Sequence, residues 1–167
     1  YQLIFCHADA AIRAPKDLAG KRIGSRTYRT ALTVWTRGLL TERHGVDFSN
    51  IQWVLQAKEV FPVHDAKVKI DYVDETKNMA QRLIAGEFDA LITDISDTKM
   101  FENLENNPKI QRLFPDYVQE DLDLYNDTGI FTPVHMIVMS GKLDRERPEL
   151  AGRFFDAFEK AKALAYD

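Results

Sequence analysis

The chain has 167 residues, 45% of them hydrophobic and 29% charged, which is typical of a globular protein with a sizeable core. A net charge of −4, without any block of basic residues, argues against nucleic acid as a partner. No apolar run reaches the length of a membrane-spanning helix, so no membrane insertion is predicted, and the single cysteine, Cys6, excludes an internal disulfide.

The N-terminal third predicts two strands and a long helix. An apolar run predicts a strand over residues 1–8, and Pro15 opens a short helical turn that ends at Gly20. A strand over residues 21–24 then leads, through a turn rich in Ser, Thr and Arg, into a helix over residues 30–44 that Gly45 caps. Trp35 belongs to the apolar face of this helix and is predicted to fill the core; the whole face consists of Ala31, Val34, Trp35, Gly38 and Leu39.

The middle of the chain alternates strands and helices. Strands are predicted over residues 51–55, 69–73 and 88–93, and helices over residues 75–85 and 96–107. Strand, helix and strand joined by short connections form the βαβ unit, which implies a parallel sheet covered by helices. The predicted fold class is therefore α/β.

The C-terminal part predicts a short strand or turn over residues 113–118 and a long strand over residues 130–139. Pro148 opens the last helix. Its apolar residues, which include Leu150, Phe154 and Phe158, recur at helical spacing, so one broad face of this helix is predicted to pack on a core.

Two patterns in the chain resemble known proteins. Residues 12–24, Ile-Arg-Ala-Pro-Lys-Asp-Leu-Ala-Gly-Lys-Arg-Ile-Gly, resemble the entry into the second lobe of type II periplasmic binding proteins. A longer pattern, which covers nearly the whole chain, resembles the 4,5-dihydroxyphthalate decarboxylase family and its binding-protein-like relatives. This pattern comprises Tyr28, Thr30-Ala31, Val34-Trp35, Arg37-Gly38, His44-Gly45-Val46, residues 83–91, 112–117 and 128–131, His135 and residues 157–167.

The resemblance implies a type II periplasmic-binding-protein-like architecture, with one complete lobe and part of the other. Residues 11–129 would form the second lobe, a βαβ sheet domain, while residues 1–10 and 130–167 would supply crossing strands and part of the first lobe. The family's usual chain has an additional N-terminal part. Phe154 and Phe158 are therefore expected to pack against a surface of the first lobe that is only partly present here. The chain departs from the family's pattern at residues 56–61 and 94–97, and both places are expected to line the cleft.

The turn before the helix at Thr30 is the main candidate for ligand binding. Free backbone N–H groups at a helix start favour an anion, and a guanidinium fork suits a carboxylate. Thr27, Tyr28 and Thr30 are therefore predicted to contact a ligand carboxylate, with Arg26 supplying positive charge. Helix capping by Thr27 or Thr30 is the alternative. Arg29 is interpreted as solvated, and Arg37 as either a ligand contact or a structural ion pair.

Asp94 and His135 complete the predicted ligand-binding set. Asp94 ends a buried strand, where ligands of open α/β sheets bind, although it is equally suited to capping the following helix. His135 lies in the predicted crossing strand, as a contact to polar substituents or as a structural residue. His135 and His7 are candidate proton donors, and no catalytic residue is assigned. No metal-ligand spacing, Gly-rich phosphate loop or nucleophile elbow is present, so neither metal nor cofactor is predicted.

Two functions of different classes follow from the resemblance. The first is capture of a small carboxylated organic ligand, aromatic ligands included, in an interlobe cleft, as in solute-binding proteins of ABC transporters. It implies a membrane permease as partner and a periplasmic location. The alternative is a cytoplasmic decarboxylase acting on 4,5-dihydroxyphthalate or a related aromatic acid, which needs a proton donor and stabilisation of charge on the ring. A ligand-sensing lobe of a regulatory protein is a third interpretation.

Overall fold

A computed structural model describes residues 3–65, 67–76, 78–93, 98–131 and 136–166 of the chain. The chain divides into two compact units, Tyr1–Thr132 and Pro133–Asp167. The first unit contains all the strands that the structure describes, and the second contains helices.

The described residues of the first unit form six strands, four α-helices and two short 3-10 helices, Ala8–Ala10 and Pro15–Leu18. The strands are β1 (Ile4–His7), β2 (Arg22–Ser25), β3 (Gln52–Leu55), β4 (Lys69–Tyr72), β5 (Ala90–Ile92) and β6 (Ile110–Arg112). The helices are α1 (Ala31–His44), α2 (Met79–Ile84), α3 (Thr98–Glu105) and α4 (Tyr117–Thr128). The second unit consists of α5 (Gly141–Glu146) and α6 (Glu149–Tyr166).

The strands form one mixed sheet in the order β4-β3-β2-β5-β1-β6. Within the four neighbouring strands β4-β3-β2-β5, every pair of adjacent strands is parallel, as the βαβ pattern predicts. Strand β1 runs antiparallel to both of its neighbours, with Ile4 opposite Ile92 and Phe5 opposite Arg112. The predicted α/β class is confirmed. Strand β1 shares this sheet, and the assignment of residues 1–10 and 130–167 to a first lobe stays a prediction.

Both faces of the sheet are covered, so consecutive strand residues belong to different cores. Trp53 and Leu55 of β3 belong to one hydrophobic cluster, together with Leu40 of α1. Val54 belongs to the other cluster, together with Leu83 of α2. Because side chains alternate between the faces of a strand, the sequence of a strand buried on both faces is a continuous run of apolar residues.

Helix α1 begins one residue after the predicted start and ends at the predicted residue, but it buries a different face. Thr30 is its N-cap, and Gly45 ends it with a left-handed φ of 64°, as predicted. Its buried residues are Thr33, Thr36 and Leu40, whereas Val34 is 47% exposed and Trp35 is only partly buried. The prediction that Trp35 fills the core is wrong, because Trp35 belongs to neither hydrophobic cluster of the described residues. Trp53 of β3, 1% exposed, lies instead in the cluster that includes Leu40 of α1.

The two elements predicted in the C-terminal part, a strand and a helix, have different outcomes in the structure. The described residues 130–131 and 136–139 form no strand, and the remainder of the strand predicted at 130–139 lies outside the described residues. Helix α6 matches the predicted last helix, but none of its described residues is buried, and Phe154 and Phe158 are about half exposed. The expected contact of these phenylalanines with a further surface stays a prediction. No helix in the described ranges is both long and apolar enough to cross a membrane.

Candidate functional site

The carboxyl ends of β2, β3 and β5 open into a pocket of about 370 Å³. Parallel α/β sheets place ligands at this edge, because the loops that follow the strands converge there. Leu32, Met79 and Leu91 supply part of the apolar lining. The polar lining includes Ser25, Arg26, Thr30, Gln56, Glu75 and Thr93.

Arg26 brings positive charge to this pocket. Its side chain is exposed, and its guanidinium has no hydrogen-bond or ion-pair partner among the residues that the structure describes. The neighbouring Arg29 instead donates from Nη2 to the carbonyl oxygen of Pro62 at 3.1 Å. The predicted role of Arg26 as the source of charge is therefore compatible with its position, whereas Arg29 is tied to a loop.

Tyr28 packs away from the pocket. Its ring lies edge-on to Trp53, with 5.2 Å between the ring centroids, and the guanidinium carbon of Arg37 lies 3.7 Å from the centroid of the Tyr28 ring. Arg37 also donates to the carbonyl oxygen of Tyr28 at 2.6 Å, and the Tyr28 backbone N–H donates to the Glu59 carboxylate. Burial lowers the pKa of Arg37 below its ordinary value. Arg37 and Tyr28 are thus packed together as a support for the turn.

Thr27 contributes its backbone rather than a pocket-lining side chain. Its carbonyl oxygen accepts hydrogen bonds from Ser25 Oγ at 3.3 Å and from Thr33 Oγ1 at 3.2 Å. Neither Thr27 nor Tyr28 lines the pocket, whereas Arg26 and Thr30 do. The structure therefore brings together two of the four residues that the sequence predicted at this turn.

A cluster of three hydroxyl groups lies where β2 meets α1. Thr33 Oγ1 is 3.0 Å from Ser25 Oγ and 2.7 Å from Thr30 Oγ1, and the Thr33 backbone N–H donates to Thr30 Oγ1 at 3.3 Å. Ser25 is 2% exposed and Thr33 is fully buried. The predicted capping role of Thr30 is confirmed, and Thr30 lines the pocket at the same time.

The histidine and aspartate candidates are not brought together in the described structure. Asp94 and His135 lie outside the described residues. His7 ends β1, which runs antiparallel to β5, so it lies at the opposite edge of the sheet from the pocket. There its backbone N–H donates to the Asp89 carbonyl at 2.9 Å, and its Nδ1 accepts from the Asp9 backbone N–H at 3.2 Å.

Several pocket residues were not among the predicted site residues. Gln56 donates from Nε2 to the Glu75 backbone carbonyl at 3.2 Å, which joins the end of β3 to the loop after β4. Asn78 also lines the pocket and caps α2 by accepting from the Gln81 N–H at 3.1 Å. The sequence carried one signal for this group, because residues 56–61 depart from the family pattern at a place expected to line the cleft. Met100 reaches the pocket from α3, and no sequence motif indicates it.

Other ionisable groups do not extend the site. Cys6 is fully buried, and burial, together with the nearby charge of Asp89, raises the pKa of its thiol to about 12. The thiol is therefore neutral at physiological pH, in agreement with the interpretation of Cys6 as a small core residue. Within the described ranges, no group of three or more His, Cys, Asp or Glu residues could hold a metal ion.

Comparison with known proteins finds two curated relatives, both named 4,5-dihydroxyphthalate decarboxylase. The protein of Comamonas testosteroni is 30% identical over 170 residues, covering 97% of this chain and 50% of the relative. The protein of Pseudomonas putida is 29% identical over 120 residues, covering 68% of this chain and 45% of the relative. The chain thus spans about half the length of the curated relatives it matches. No protein-family model matches the chain.

Proposed function

Since the chain belongs to the 4,5-dihydroxyphthalate decarboxylase family, we propose that the protein removes a carboxyl group from 4,5-dihydroxyphthalate or a related aromatic acid. Both curated relatives bear the name of this reaction. The comparisons thereby favour the decarboxylase alternative over the solute-binding function of an ABC transporter, for which they offer no support.

The observation that carries the proposal in the structure is the pocket at the carboxyl edge of the sheet, with Arg26 at its lining. Its volume of about 370 Å³ lies in the range of small-molecule sites. A guanidinium can donate two parallel hydrogen bonds to one carboxylate, and the Thr30 hydroxyl and the start of α1 lie in the same lining. The pocket is therefore suited to an aromatic acid.

The proposed reaction breaks the bond between a ring carbon and one carboxylate. Carbon dioxide leaves, the electron pair stays on the ring carbon, and that carbon takes up a proton to give 3,4-dihydroxybenzoate. The departing carboxylate loses its charge in this step, so a cation bound to it would stabilise the substrate more than the transition state. Arg26 therefore suits the carboxylate that is retained.

We also propose that the pocket is one wall of a cleft between two lobes, as in type II periplasmic binding proteins. Two observations support this architecture. Leu3, which precedes β1, accepts a hydrogen bond from the Thr93 N–H at 3.1 Å, so the chain enters β1 from the pocket edge of the sheet. The Comamonas testosteroni relative is also about twice as long as this chain. Closure of a second lobe over the pocket would exclude water from the bound acid.

The test of the proposed activity uses the protein in its full natural length. It is incubated with 4,5-dihydroxyphthalate, and carbon dioxide and 3,4-dihydroxybenzoate are measured together. Equal molar release of the two products is expected. Tight binding of the diacid without release of either product would overturn the decarboxylase proposal in favour of a binding protein.

The role of Arg26 is tested with a matched pair of variants. Arg26→Gln is expected to raise KM about 10- to 100-fold, the effect of losing a hydrogen bond to a charged group, with a smaller change in kcat. Arg29→Gln removes the same charge three residues away and is expected to leave KM unchanged, because Arg29 is bonded to Pro62. An equal effect of both variants would assign the loss to overall charge rather than to a contact of Arg26.

A further inference from the structure

Thr33 lies between two residues of the pocket without lining the pocket itself. Its hydroxyl oxygen is within hydrogen-bond distance of three oxygens: Ser25 Oγ, Thr30 Oγ1 and the Thr27 carbonyl. Ser25 and Thr30 both line the pocket. Because Thr33 is fully buried, water does not compete for these contacts.

The three hydroxyl groups hold three protons, and the direction of each proton decides whether Thr30 offers a ligand in the pocket a hydrogen-bond donor or an acceptor. In one arrangement Thr33 donates to the Thr27 carbonyl and accepts from Thr30, while Ser25 donates either to Thr33 or to the Thr27 carbonyl. Thr30 then offers the pocket only an acceptor. In a second arrangement Thr33 donates to Thr30, while Ser25 donates either to the Thr27 carbonyl or to Thr33. Thr30 then accepts from both the hydroxyl and the N–H of Thr33, and its own proton is available to a ligand.

We propose that Thr33 is a positioning residue that directs the Thr30 hydroxyl proton to a carboxylate oxygen of the ligand. The inference rests on the proposed function, since it concerns an acid bound in the same pocket. A carboxylate only accepts hydrogen bonds, so its binding selects the second arrangement. The hydrogen bonds from Thr33 to Thr30 and from Thr30 to the carboxylate then share one donor-to-acceptor direction. Each hydrogen bond of such a chain strengthens the next.

The distances support a role beyond closing the helix end. Capping needs only the bond from the Thr33 N–H to Thr30 Oγ1, which is 3.3 Å long. The contact between the two hydroxyl groups is much shorter, at 2.7 Å. The hydroxyl of Thr33 is thus the closer partner of Thr30.

The experiment separates the hydroxyl of Thr33 from its methyl group in the full-length protein. Thr33→Val keeps the shape and removes the hydroxyl, whereas Thr33→Ser keeps the hydroxyl and removes the methyl. Affinity for 4,5-dihydroxyphthalate is taken from the concentration dependence of single-turnover kinetics if the diacid is converted, and from calorimetry if it is not. Unfolding by urea is measured in parallel. Thr36→Val is the matched control, because Thr36 is also buried in α1 and takes no part in the hydroxyl cluster.

We expect Thr33→Val to weaken binding of the diacid about 3- to 10-fold, in line with the loss of one hydrogen bond. Thr33→Ser and Thr36→Val are expected to bind within about twofold of the unaltered protein. A packing role predicts the reverse order, with Ser binding more weakly than Val, and that order would overturn the inference.

The outcomes also distinguish this inference from the proposed function. If the unaltered protein converts the diacid and Thr33→Val binds it equally well, the positioning role of Thr33 is wrong and the decarboxylase function stands. If the unaltered protein binds the diacid without converting it, and Thr33→Val binds more weakly than Thr33→Ser, the positioning role stands without the reaction. If the unaltered protein does not bind the diacid, both proposals are overturned.

Discussion

Gly24 in β2 has no room for a side chain. A Cβ atom built there would lie 2.5 Å from the Phe88 ring, and both residues are buried. We expect Gly24→Ala to lower the free energy of unfolding by about 1–3 kcal/mol, because the ring or the strand must shift to make space. Urea unfolding followed by circular dichroism measures the change.

Gly38 offers the matched control for this substitution. It lies inside α1, and a Cβ atom built there has no neighbour within 4 Å. Alanine in a helix interior loses less conformational entropy on folding than glycine, so Gly38→Ala is expected to raise the free energy of unfolding by about 0.5–1 kcal/mol. A loss of stability in both variants would contradict the argument from the Phe88 contact.

At the scale of single residues, the sequence predicted those features that depend on the local chain. The cap at Thr30 and the αL residue at Gly45 follow from their positions at the ends of a periodic segment. The orientation of Tyr28 does not, because it is set by Trp53 and Arg37, which belong to other elements. The burial of Thr33 likewise depends on contacts that the hydrophobic pattern does not reveal, since Ser25, Thr30 and the Thr27 carbonyl are the partners of its hydroxyl.

Helix α2 shows how a short element depends on its cap. It spans Met79–Ile84, and Asn78 accepts from the Gln81 N–H at 3.1 Å. Asn78→Ala is expected to lower the free energy of unfolding by about 1 kcal/mol, whereas Asn78→Asp keeps the cap and is expected to change it little. Urea denaturation of the two variants checks the difference. Similar losses in both would show that the amide does more than cap the helix.

At the scale of elements, the sequence predicted mainly the strands and helices with a strong hydrophobic pattern. Strands β3 and β5 are mainly buried apolar runs, and β2, with the sequence Arg-Ile-Gly-Ser, was located by the turn and the helix that follow it. All three were identified within a few residues. Strand β6 has only three residues, too few for a period to be recognised. Helix α4 was missed because Leu124 is its only fully buried residue in the described structure. Tyr117 is only partly buried, and Val118, Leu122 and Tyr125 are exposed.

For the whole molecule, two carboxylates make the free energy of unfolding depend on pH. Asp17 accepts from the backbone N–H groups of Arg13 and Ala14, each at 2.8 Å, and Asp47 accepts from the N–H of Ser49 at 2.8 Å. These hydrogen bonds lower the pKa of both groups below the ordinary value of 3.8. Groups with a depressed pKa stabilise the fold above their unfolded pKa and lose that contribution as the pH falls through the folded pKa.

Asp17→Asn tests this dependence. At pH 7 the variant is expected to be less stable than the unaltered protein, because an amide oxygen is a weaker acceptor than a carboxylate. As the pH falls below 3.8, the two stabilities are expected to converge, since Asp17 becomes protonated. Urea unfolding at several pH values between 7 and 2.5 measures the gap, and a gap that stays constant would contradict the assignment.

The antiparallel placement of β1 also bears on how the chain folds during synthesis. Of the six strands, β1 leaves the ribosome first, yet its partners are β5 and β6, the last two to emerge. Strands β2 and β3 can pair as soon as residue 55 is made. Ile4–His7, four consecutive residues that are all buried in the finished sheet, stay open to pairing with other chains on both edges until residue 92 appears. One edge stays open until residue 112 appears. Of these six strands, the earliest to emerge is thus the one that waits longest for its partners, and slower translation before residue 112 lengthens its exposure to aggregation.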